Sequence, residues 1–452
     1  MSITIVILAA GQGKRMNSAL PKVLQPLAGK PLLAHVIDRS RRVGADDICI
    51  VYGHGGDEVR AAFDDPELRW ALQAEQLGTG HAVQQAMPET DEGNRVLVLY
   101  GDVPLLTTET MTRLLDSCGN DVGLLTVGMA DPFGYGRIIR EGSAIVRSVE
   151  ECDATEDEKR IMEVNTGVMC CPADRLKDWL ERLDNDNTQG EYYLTDVIAM
   201  AVSDGVPVVG VKATDQVEIM GINDKRQLAE AERALQRRQV EKLMDAGVTF
   251  ADPARVDIRG QLTCGKDVFI DVNVVFEGDV TLGNGVRISM NNLIRNSNIG
   301  DGTVVRAHCH IEESGTGRHC KIGPYARLRP DTDIAENVHV GNFVEIKKSR
   351  IAEGSKVNHL TYIGDATIGQ DVNVGAGTIT CNYDGANKHQ TVIGDGAFIG
   401  SGVELVAPVE VGKGATIGAG STISKAAPDD RLTVARARQT TVGFWKSPKK
   451  KR

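Results

Sequence analysis

The sequence predicts two domains, an N-terminal α/β domain and a C-terminal β-solenoid, and three observations support this organisation. From Val256 to Ile423 a branched aliphatic residue returns every six positions over most of the length. A glycine-rich turn follows the first apolar strand, near the N-terminus. A helical pattern from Asp224 to Gly247 separates the two halves.

The six-residue period suits neither a helix nor a single strand. It is typical of a solenoid in which three short strands make a coil of about eighteen residues and stack their aliphatic side chains in files. A β-sandwich with chance spacing is the alternative. Glycine often follows the inward aliphatic residue, as in Ile393-Gly394 and Ile399-Gly400, and we expect a left-handed backbone there. The residues that recur at this six-residue spacing along the chain are Val256, Leu262, Val268, Val274, Val280 and Val286; Ile322, Leu328, Ile334, Val340 and Ile346; and Ile393, Ile399, Leu405, Val411, Ile417 and Ile423.

Composition limits the functions open to the chain. Its 452 residues suit two or three domains, and a net charge of −11 argues against a nucleic-acid partner. Without a run of eighteen apolar residues or a signal-like N-terminus, we expect a cytoplasmic protein that does not bind membranes. Nine cysteines without CxxC spacing indicate reduced thiols. The basic residues Lys449, Lys450, Lys451 and Arg452 suggest a solvated tail rather than an interaction motif.

The first strand, Ser2 to Ala10, runs into a glycine-rich turn, Gly11 to Met16. Such a turn at the start of a helix lets backbone N–H groups approach phosphates. Arg15 and Lys22 add two cations that could neutralise a polyanion. A tight turn with two surface cations remains the alternative.

Two further segments suit nucleotide chemistry. The segment from Gln73 to Ala82 offers amide and hydroxyl groups beside glycines for reading a planar base, although it could be an ordinary loop. The apolar run from Val96 to Tyr100 is followed by Asp102 at the carboxyl end of a strand, where ligands bind in open parallel sheets. This aspartate is a natural Mg²⁺ ligand beside a triphosphate, or a plain turn residue.

The N-terminal half resembles the sugar-1-phosphate nucleotidyltransferases through the motif Leu8-Ala9-Ala10-Gly11-x-Gly13-x-Arg15-Met16 followed by Pro21-Lys22. Lys14 stands where that motif usually has a small hydroxyl residue. The resemblance implies a uracil-reading loop, a sugar-phosphate subsite and a Mg²⁺ site held by Asp102 and Asn223. The residues implied to bind UTP or its sugar product are Leu8, Ala9, Ala10, Gly11, Lys22, Gln73, Gly78, Thr79, Tyr100, Gly101, Asp102, Gly136, Glu150, Asn165 and Asn223, with Arg15 and Lys22 catalytic.

The long helix begins with an Asp224–Gln227 pair that resembles a capping box and stops at Gly247. Its apolar stripe comprises Leu228, Ala231, Leu235, Leu243 and Met244. We interpret it as a connector whose stripe packs within the protein, rather than as a groove-binding partner helix.

Polar residues interrupt the solenoid repeat around Arg329, Lys347, His359 and Asn373, and the stretch from Cys381 to Gln390 overruns the period. Among these residues, histidine is suited to act as a general base near neutral pH. Most lone histidines are structural, and we interpret His35, His308, His319 and His389 in that way.

With these clusters, the whole chain resembles the bifunctional bacterial N-acetylglucosamine-1-phosphate uridylyltransferase/glucosamine-1-phosphate N-acetyltransferase family. The resemblance implies a Rossmann-like domain over residues 1–222, a helical linker over 223–247 and a left-handed parallel β-helix with a C-terminal arm over 248–452. It also implies a homotrimer and a product, UDP-N-acetylglucosamine, that feeds peptidoglycan and lipopolysaccharide synthesis. By the same resemblance His359 is the general base, assisted by Glu345; Arg329, Lys347, Tyr362 and Asn373 hold glucosamine-1-phosphate; and Ala376, Asn382, Tyr383, Ser401, Ala419 and Arg436 contact acetyl-CoA.

Two other functions remain compatible with this organisation. A nucleotidyltransferase could carry a β-helix that only regulates or assembles, as in ADP-glucose or GDP-mannose pyrophosphorylases, but the cluster around His359 argues against it. A non-enzymatic assembly subunit could keep both folds, but intact Arg15, Lys22 and Asp102 argue against that.

Overall fold

The computed structural model describes residues 2–53, 55–91 and 93–446, and the chain forms two compact units, Met1–Leu235 and Gln236–Arg452. The division falls inside the long helix. The basic residues from Lys449 to Arg452, interpreted above as a solvated tail, lie outside the described residues. In the described part of the chain, no helix combines the length and the apolar character that crossing a membrane requires.

The first unit is built on a mixed nine-stranded sheet flanked by helices on both faces. The strands are β1 (Ile3–Leu8), β2 (Asp47–Tyr52), β3 (Leu68–Leu72), β4 (Arg95–Tyr100), β5 (Val122–Gly128), β6 (Arg137–Glu141), β7 (Ala144–Val149), β8 (Glu163–Pro172) and β9 (Val208–Lys212). The central strands run in the order β9-β5-β8-β4-β1-β2-β3, and β6 pairs with β8 and with β7. The helices are α1 (Leu32–Arg42), α2 (Gly56–Ala61), α3 (Thr79–Ala86), α4 (Thr108–Cys118), α5 (Ala173–Glu181), α6 (Asp196–Ser203) and α7 (Lys225–Asp245).

Alternate residues of the central strands enter two different cores. Ile5 and Ile7 pack on the side covered by α1 and α4, whereas Val6 and Leu8 pack on the side covered by α3, α5 and α6. Both faces are therefore buried, which explains why β1 reads as a continuous apolar run. Because β1 is parallel to β2 and β4, the chain segments after these strands meet at one edge of the sheet.

Helix α7 forms within the stretch from Asp224 to Gly247 that the sequence predicted as helical, and its apolar stripe is buried or partly buried with one exception. The backbone N–H groups of Arg226 and Gln227 donate to Asp224 Oδ1, at 2.8 and 2.9 Å, as a capping residue requires. Ala231 and Leu235 are buried in the first unit. Met244, expected in the apolar stripe, is instead 45% exposed, because the last turn of the helix is only partly covered.

The second unit is a solenoid of parallel strands, as predicted. Its strands form an eleven-stranded and a seventeen-stranded sheet around one continuous core. The predicted files stack in register, with Leu328 over Ile346 and Ile346 over Ile363. The strands are Thr249–Phe250, Val256–Cys264, Phe269–Ile270, Val274–Leu282, Arg287–Ile288, Leu293–Arg295, Asn298–Ile299, Val304–Val305, His310–Glu312, Ser314–Thr316, Lys321–Ile322, Arg327–Leu328, Thr332–Ile334, His339–Asn342, Glu345–Lys347, Arg350–Ile351, Lys356–His359, Tyr362–Gly364, Ala366–Ile368, Asn373–Val374, Ile379–Cys381, Thr391–Ile393, Phe398–Ile399, Glu404–Val406, Val409–Val411, Thr416–Ile417, Thr422–Ile423 and Leu432–Thr433.

The glycines that follow the inward aliphatic residues do not have the left-handed backbone that the sequence suggested. Neither Gly394 nor Gly400 has a positive φ. A Cβ on Gly400 would instead lie 2.5 Å from the backbone N of Ala419, and one on Gly394 would lie 2.7 Å from that of Lys413. Glycine is therefore required there because neighbouring coils approach closely, and the left-handed turns fall two residues later, as at Gly396 and Gly402.

Candidate active sites

The first candidate site is a cavity of about 240 Å³ at the sheet edge where β1, β3 and β4 end. The segments that follow these strands form much of its wall. Ten of the residues expected at the nucleotide site line it, namely Leu8, Ala9, Ala10, Gly11, Lys22, Gln73, Gly78, Thr79, Tyr100 and Asp102. The N-terminal motif, the base-reading segment and the aspartate segment are therefore brought together in one place.

The base-reading segment is held in shape by the chain before α6. Gly80 N donates to Tyr192 O and Tyr192 N donates to Leu77 O, each at 2.8 Å. Gly78 has a φ of 115°, and a Cβ there would lie 2.5 Å from Tyr192 O, so only glycine fits. The side chain of Gln73 is buried and its Nε2 donates to Gly78 O at 3.1 Å. A rigid loop beside the cavity is what selective binding of a planar base needs.

Three groups predicted to act on phosphates and metal meet at the cavity. The ammonium of Lys22 forms an ion pair with Asp102 Oδ2 and donates to Asn223 Oδ1 at 3.2 Å. The side chains of Lys22 and Asp102 are largely buried, 12% and 17% exposed. Asp102 and Asn223, which lie 80 and 201 positions after Lys22 in the sequence, thus share one cationic partner.

The two oxygens that contact the Lys22 ammonium, Asp102 Oδ2 and Asn223 Oδ1, are also of the kind that binds a divalent cation. One carboxylate oxygen and one amide oxygen converge on a single positive nitrogen, and hard oxygen donors of this kind are the ligands that Mg²⁺ prefers. The donor set and its convergence on a cation therefore fit the predicted metal site.

Arg15 stands apart from this contact group. It is exposed on a short 3-10 helix, Lys14–Met16. Asp224 follows Asn223 directly, and hydrogen bonds from the backbone of Gln227 and Arg226 lower the pKa of its carboxyl, with a further contribution from the charge of Arg15. Arg15 thus lies within electrostatic reach of the Asn223 segment without a direct bond to it.

The predicted sugar-phosphate residues also converge. Asn165 N donates to Gly136 O at 2.8 Å, and Asn165 Nδ2 donates to Ser148 Oγ at 3.2 Å. Glu150 Oε1 accepts a hydrogen bond of 3.0 Å from Thr195 Oγ1 at the start of α6. Burial raises the pKa of Glu150, the Thr195 hydroxyl opposes that rise, and the charges of Asp153 and Glu191 add to it.

Tyr100 is close both to Glu150, one of the residues expected to bind the sugar phosphate, and to Asp102, one of the residues expected to hold the metal ion. Burial raises the pKa of its phenol well above the ordinary value, and the charges of Glu150 and Asp102 raise it further. Both carboxylates therefore lie close to one side chain in the cavity wall, so a sugar phosphate and a nucleotide could be bound side by side.

The second candidate site follows one corner of successive coils in the solenoid. Backbone bonds of 2.7 to 3.1 Å link each coil to the next along this corner: Leu360 N to Asn342 O, Gly377 N to His359 O, Gly402 N to Ala376 O and Gly420 N to Ser401 O. We call the residues Asn342, His359, Ala376, Ser401 and Ala419 the corner file. The predicted base thus shares one file with three residues expected to contact acetyl-CoA, and Arg436 Nη1 donates to Ala419 O at 2.7 Å.

His359 has a defined tautomer in this file. Its Nδ1 lies 2.6 Å from Asn342 Oδ1. Because an amide oxygen only accepts hydrogen bonds, Nδ1 is the donor, and the neutral form of the ring has its lone pair on Nε2. The exposed ring therefore offers an acceptor nitrogen to a substrate, as a general base must.

A charged cluster lies on the neighbouring coils. Arg329 Nη1 donates to Glu345 Oε1 at 2.8 Å, and Glu345 pairs in register with Tyr362. The Lys347 ammonium lies 4.0 Å from Asp365 Oδ2. Lys388, from the loop that overruns the repeat, lies close to Lys347 and lowers the pKa of its ammonium because like charges repel, and burial lowers it further.

The remaining predicted residues are placed differently. Asn373 lies on a strand paired in register with Lys356. The Asn382 side chain donates to Asp365 Oδ2, next to Lys347, rather than joining the corner file. Tyr383 is exposed, and its hydroxyl donates to Gly385 O at 2.6 Å.

Several residues of these sites were not identified from the sequence. Gln76 and Glu191 line the nucleotide cavity, Thr195 holds Glu150, Asn342 orients His359 and Lys388 joins Lys347. Gln76 and Lys388 each lie in a stretch that the sequence had singled out, from Gln73 to Ala82 and from Cys381 to Gln390. Glu191, Thr195 and Asn342 are ordinary polar residues in loops or at element ends.

Comparisons with known proteins agree with both halves of this description. The MobA-like NTP transferase domain family matches residues 5–174, and the bacterial transferase hexapeptide family (six repeats) matches residues 313–348 and 390–425.

Two curated relatives are similar over nearly the full length. The Bifunctional protein GlmU of Aromatoleum aromaticum is 58% identical over 450 residues, 99% of each chain. That of Janthinobacterium sp. is 58% identical over 449 residues, again 99% of each chain. A solved nucleotidyl transferase from Methanothermobacter thermautotroptrophicus is 20% identical, with a TM-score of 0.39, over 52% of this chain and 99% of that one.

Proposed function

The chain belongs to the bifunctional GlmU family, and from that premise we propose that it makes UDP-N-acetylglucosamine in two steps. It is a transferase with an N-acetyltransferase site in the solenoid and a uridylyltransferase site in the α/β unit. The observation that carries the proposal is the corner file, in which His359, oriented by Asn342, stands in line with Ala376, Ser401 and Ala419. A solenoid that only regulated the other half would have no need of an oriented base.

In the first step an acetyl group moves from acetyl-CoA to the amine of glucosamine-1-phosphate. Nε2 of His359 takes a proton from the amine, the amine nitrogen attacks the thioester carbonyl, and the CoA thiolate leaves and is protonated. Arg329 and Lys347, with Lys388, hold the phosphate, and Tyr362 and Asn373 hold the sugar. Glu345 fixes Arg329 through their ion pair. Ala376, Ser401, Ala419 and Arg436 hold the acetyl-CoA, with Asn382 and Tyr383 at the start of the adjoining loop.

In the second step the phosphate of N-acetylglucosamine-1-phosphate attacks the α-phosphorus of UTP, and pyrophosphate leaves. The turn from Leu8 to Gly11 receives the phosphates, and Arg15 and Lys22 balance their charge. The segment from Gln73 to Thr79 binds uracil, while Tyr100, Gly101, Gly136, Glu150 and Asn165 bind the sugar. Positioning and charge neutralisation account for the catalysis, because no protein nucleophile is needed.

The nucleotidyltransferase half depends on a metal ion, and we propose Mg²⁺ held by Asp102 and Asn223. When bound, Mg²⁺ neutralises charge on the phosphates of UTP. The oxygens of both residues already converge on one cation, the Lys22 ammonium. The Ile222 N–H donates to Asp102 O at 2.9 Å, so the two residues are also linked through the backbone.

The hexapeptide repeats indicate an oligomer, and we propose a homotrimer. An exposed ring stack along one edge of the solenoid supports contact between copies: the centroids of His308 and Tyr325 are 4.8 Å apart, and those of Tyr325 and Phe343 are 5.2 Å apart. Tyr325 and Phe343 are 48% and 54% exposed, and apolar surface of this kind marks interaction sites. We place the protein in the cytoplasm, where UTP and acetyl-CoA are made.

A coupled assay tests the two-site proposal. Purified protein is given glucosamine-1-phosphate, acetyl-CoA, UTP and Mg²⁺, and thiol and pyrophosphate are followed separately while one substrate at a time is omitted. Thiol release without UTP, and pyrophosphate release only after acetylation or added N-acetylglucosamine-1-phosphate, is expected. Pyrophosphate without thiol under any condition would leave the solenoid with a regulatory function only.

Two variants assign the activities to their sites. His359→Ala should lower acetyl transfer by about 10² to 10⁴ and leave uridylyl transfer within about twofold, because only the base is removed. Asp102→Ala should do the reverse. An equal loss of both activities in either folded variant contradicts two independent sites.

A further inference from the structure

Lys22 makes the contacts to Asp102 and Asn223 that a metal ion would make. Its ammonium is paired with Asp102 Oδ2 and is 3.2 Å from Asn223 Oδ1. Asp102 and Asn223 are also the residues proposed to hold Mg²⁺. One side chain therefore has two roles assigned to it, as a partner of the phosphates and as the cation between two metal ligands.

The backbone that carries these two side chains is held in place by groups other than the lysine. Ile222 N donates to Asp102 O at 2.9 Å, and Asn223 N donates to Gln227 Oε1 at 2.7 Å. The backbone N–H of Gln227 donates in turn to Asp224 Oδ1, so Asn223 is fixed to the first turn of α7. The ligand oxygens therefore belong to side chains on a braced backbone, whereas the lysine is a flexible chain that can leave them.

An ammonium and a divalent ion cannot share these oxygens at low cost. Mg²⁺ binds oxygen ligands at about 2.1 Å, and an ammonium hydrogen bonded to the same oxygens would lie within a few ångströms of it. The side chains of Lys22 and Asp102 are both less than one-fifth exposed, and two cations at that separation repel strongly when they are shielded from water.

We propose that Lys22 and the divalent metal ion exchange places on Asp102 and Asn223, so that metal binding releases the Lys22 ammonium towards the nucleotide phosphates. The inference deepens the proposed uridylyl transfer and rests on it for the identity of the nucleotide. Lys22 lines the same cavity as the turn from Leu8 to Gly11, so the released ammonium has an anionic partner within the site when UTP is bound. Metal and nucleotide then favour each other's binding, because the metal ion frees the Lys22 ammonium for the phosphates, and the phosphates give the released ammonium a partner.

The exchange is tested by Mn²⁺ binding to nucleotide-free protein, measured by electron paramagnetic resonance of the free ion. Lys22→Met removes the competing ammonium and should lower the Kd for Mn²⁺ about tenfold, which corresponds to about 1.4 kcal/mol. Lys14→Met is the matched control: it removes one exposed charge from the same segment without touching either oxygen, and should leave the Kd within about twofold. Asp102→Asn should abolish the binding in the wild-type and Lys22→Met backgrounds.

Three results would overturn the exchange: an unchanged Kd in Lys22→Met, an equal gain in Lys14→Met, or no Mn²⁺ binding in either protein. These readouts need no turnover. A tighter Kd in Lys22→Met with no uridylyl transfer in the wild type would support the exchange and reject the proposed function.

A second measurement follows Lys22 in the unaltered protein. Amine-labelling rates are read at Lys22 and Lys14 by mass spectrometry while Mg²⁺ is titrated. Because the metal ion frees Lys22 from its ion pair, labelling of Lys22 should rise severalfold, while that of Lys14 stays constant. A fall or no change at Lys22 would mean that the lysine keeps its place when the metal is present.

Discussion

Replacing Asn342 should reduce acetyl transfer although Asn342 is not expected to touch a substrate. Its Oδ1 accepts the Nδ1 proton of His359 at 2.6 Å, and this one bond sets both the ring orientation and the tautomer. Asn342→Leu keeps the approximate volume of the side chain and removes the acceptor. The ring then loses its partner, and either nitrogen can carry the proton.

The size of the effect follows from that single bond. A neutral hydrogen bond contributes about 1 kcal/mol net, and a barrier change of 1.36 kcal/mol is a factor of ten in rate. The kcat for acetyl transfer should therefore fall about five- to tenfold in Asn342→Leu, far less than after removal of His359 itself. Asn342→Asp keeps an acceptor oxygen and should retain kcat within about threefold.

The assay is thiol release at saturating glucosamine-1-phosphate and acetyl-CoA, with pyrophosphate release measured on the same preparations. Thermal melting of the solenoid establishes that the variants are folded. Wild-type kcat in Asn342→Leu would show that the base needs no orienting partner. An equal fall in pyrophosphate release would show a general effect on the protein instead of an effect on His359.

Three further changes have directional outcomes. Thr195→Val removes the hydrogen bond that opposes the raised pKa of Glu150, so this carboxyl should take up its proton at a higher pH. The acidic limb of the pH profile of kcat/KM for uridylyl transfer should therefore move to higher pH, and Thr195→Ser should restore it. An acidic limb that stays in place would show that Thr195 does not control the protonation of Glu150. Lys347→Met should raise KM for glucosamine-1-phosphate about tenfold or more, because a charged hydrogen bond contributes about 1.5–3 kcal/mol. KM for UTP should stay constant. A change confined to kcat would contradict the binding of the sugar phosphate by Lys347. Gly400→Ala places a Cβ 2.5 Å from the backbone N of Ala419 and should lower the free energy of unfolding by about 1–3 kcal/mol. Denaturant titration measures this change, and an unchanged unfolding midpoint would contradict the close approach of the two coils.

The architecture of the solenoid could be predicted from the sequence because its core repeats. An aliphatic residue at a fixed interval fixes which side chains point inward, and Leu328, Ile346 and Ile363 do stack in register. The explanation of the adjoining glycines was wrong. The sequence shows only that glycine follows the inward aliphatic residue at position 400; the structure shows that the next coil, rather than the backbone angle, excludes a Cβ there.

Side-chain partners across long separations could not be predicted in the same way. Thr195 meets Glu150 across 45 positions, and no local pattern sets that pairing. Asn342 lies one coil from His359, but the coil length varies, and the loop after Cys381 breaks the count. The N-terminal motif and Asp102 were easier to assign, because each follows an apolar strand that ends at the same sheet edge.

The corner file has a consequence for how the acetyl-transfer half can change. Neighbouring parallel strands are about 4.8 Å apart, so the three coil steps from His359 to Ala419 measure about 14 Å along the solenoid axis. The number of coils therefore sets the distance between the base and the far end of the cosubstrate site, and this distance can change only in steps of one coil. Insertion of a complete coil between Ala376 and Ser401 would replace the contacts between these two coils by equivalent contacts to the new coil, and would lengthen the distance from His359 to Ala419 by about 4.8 Å.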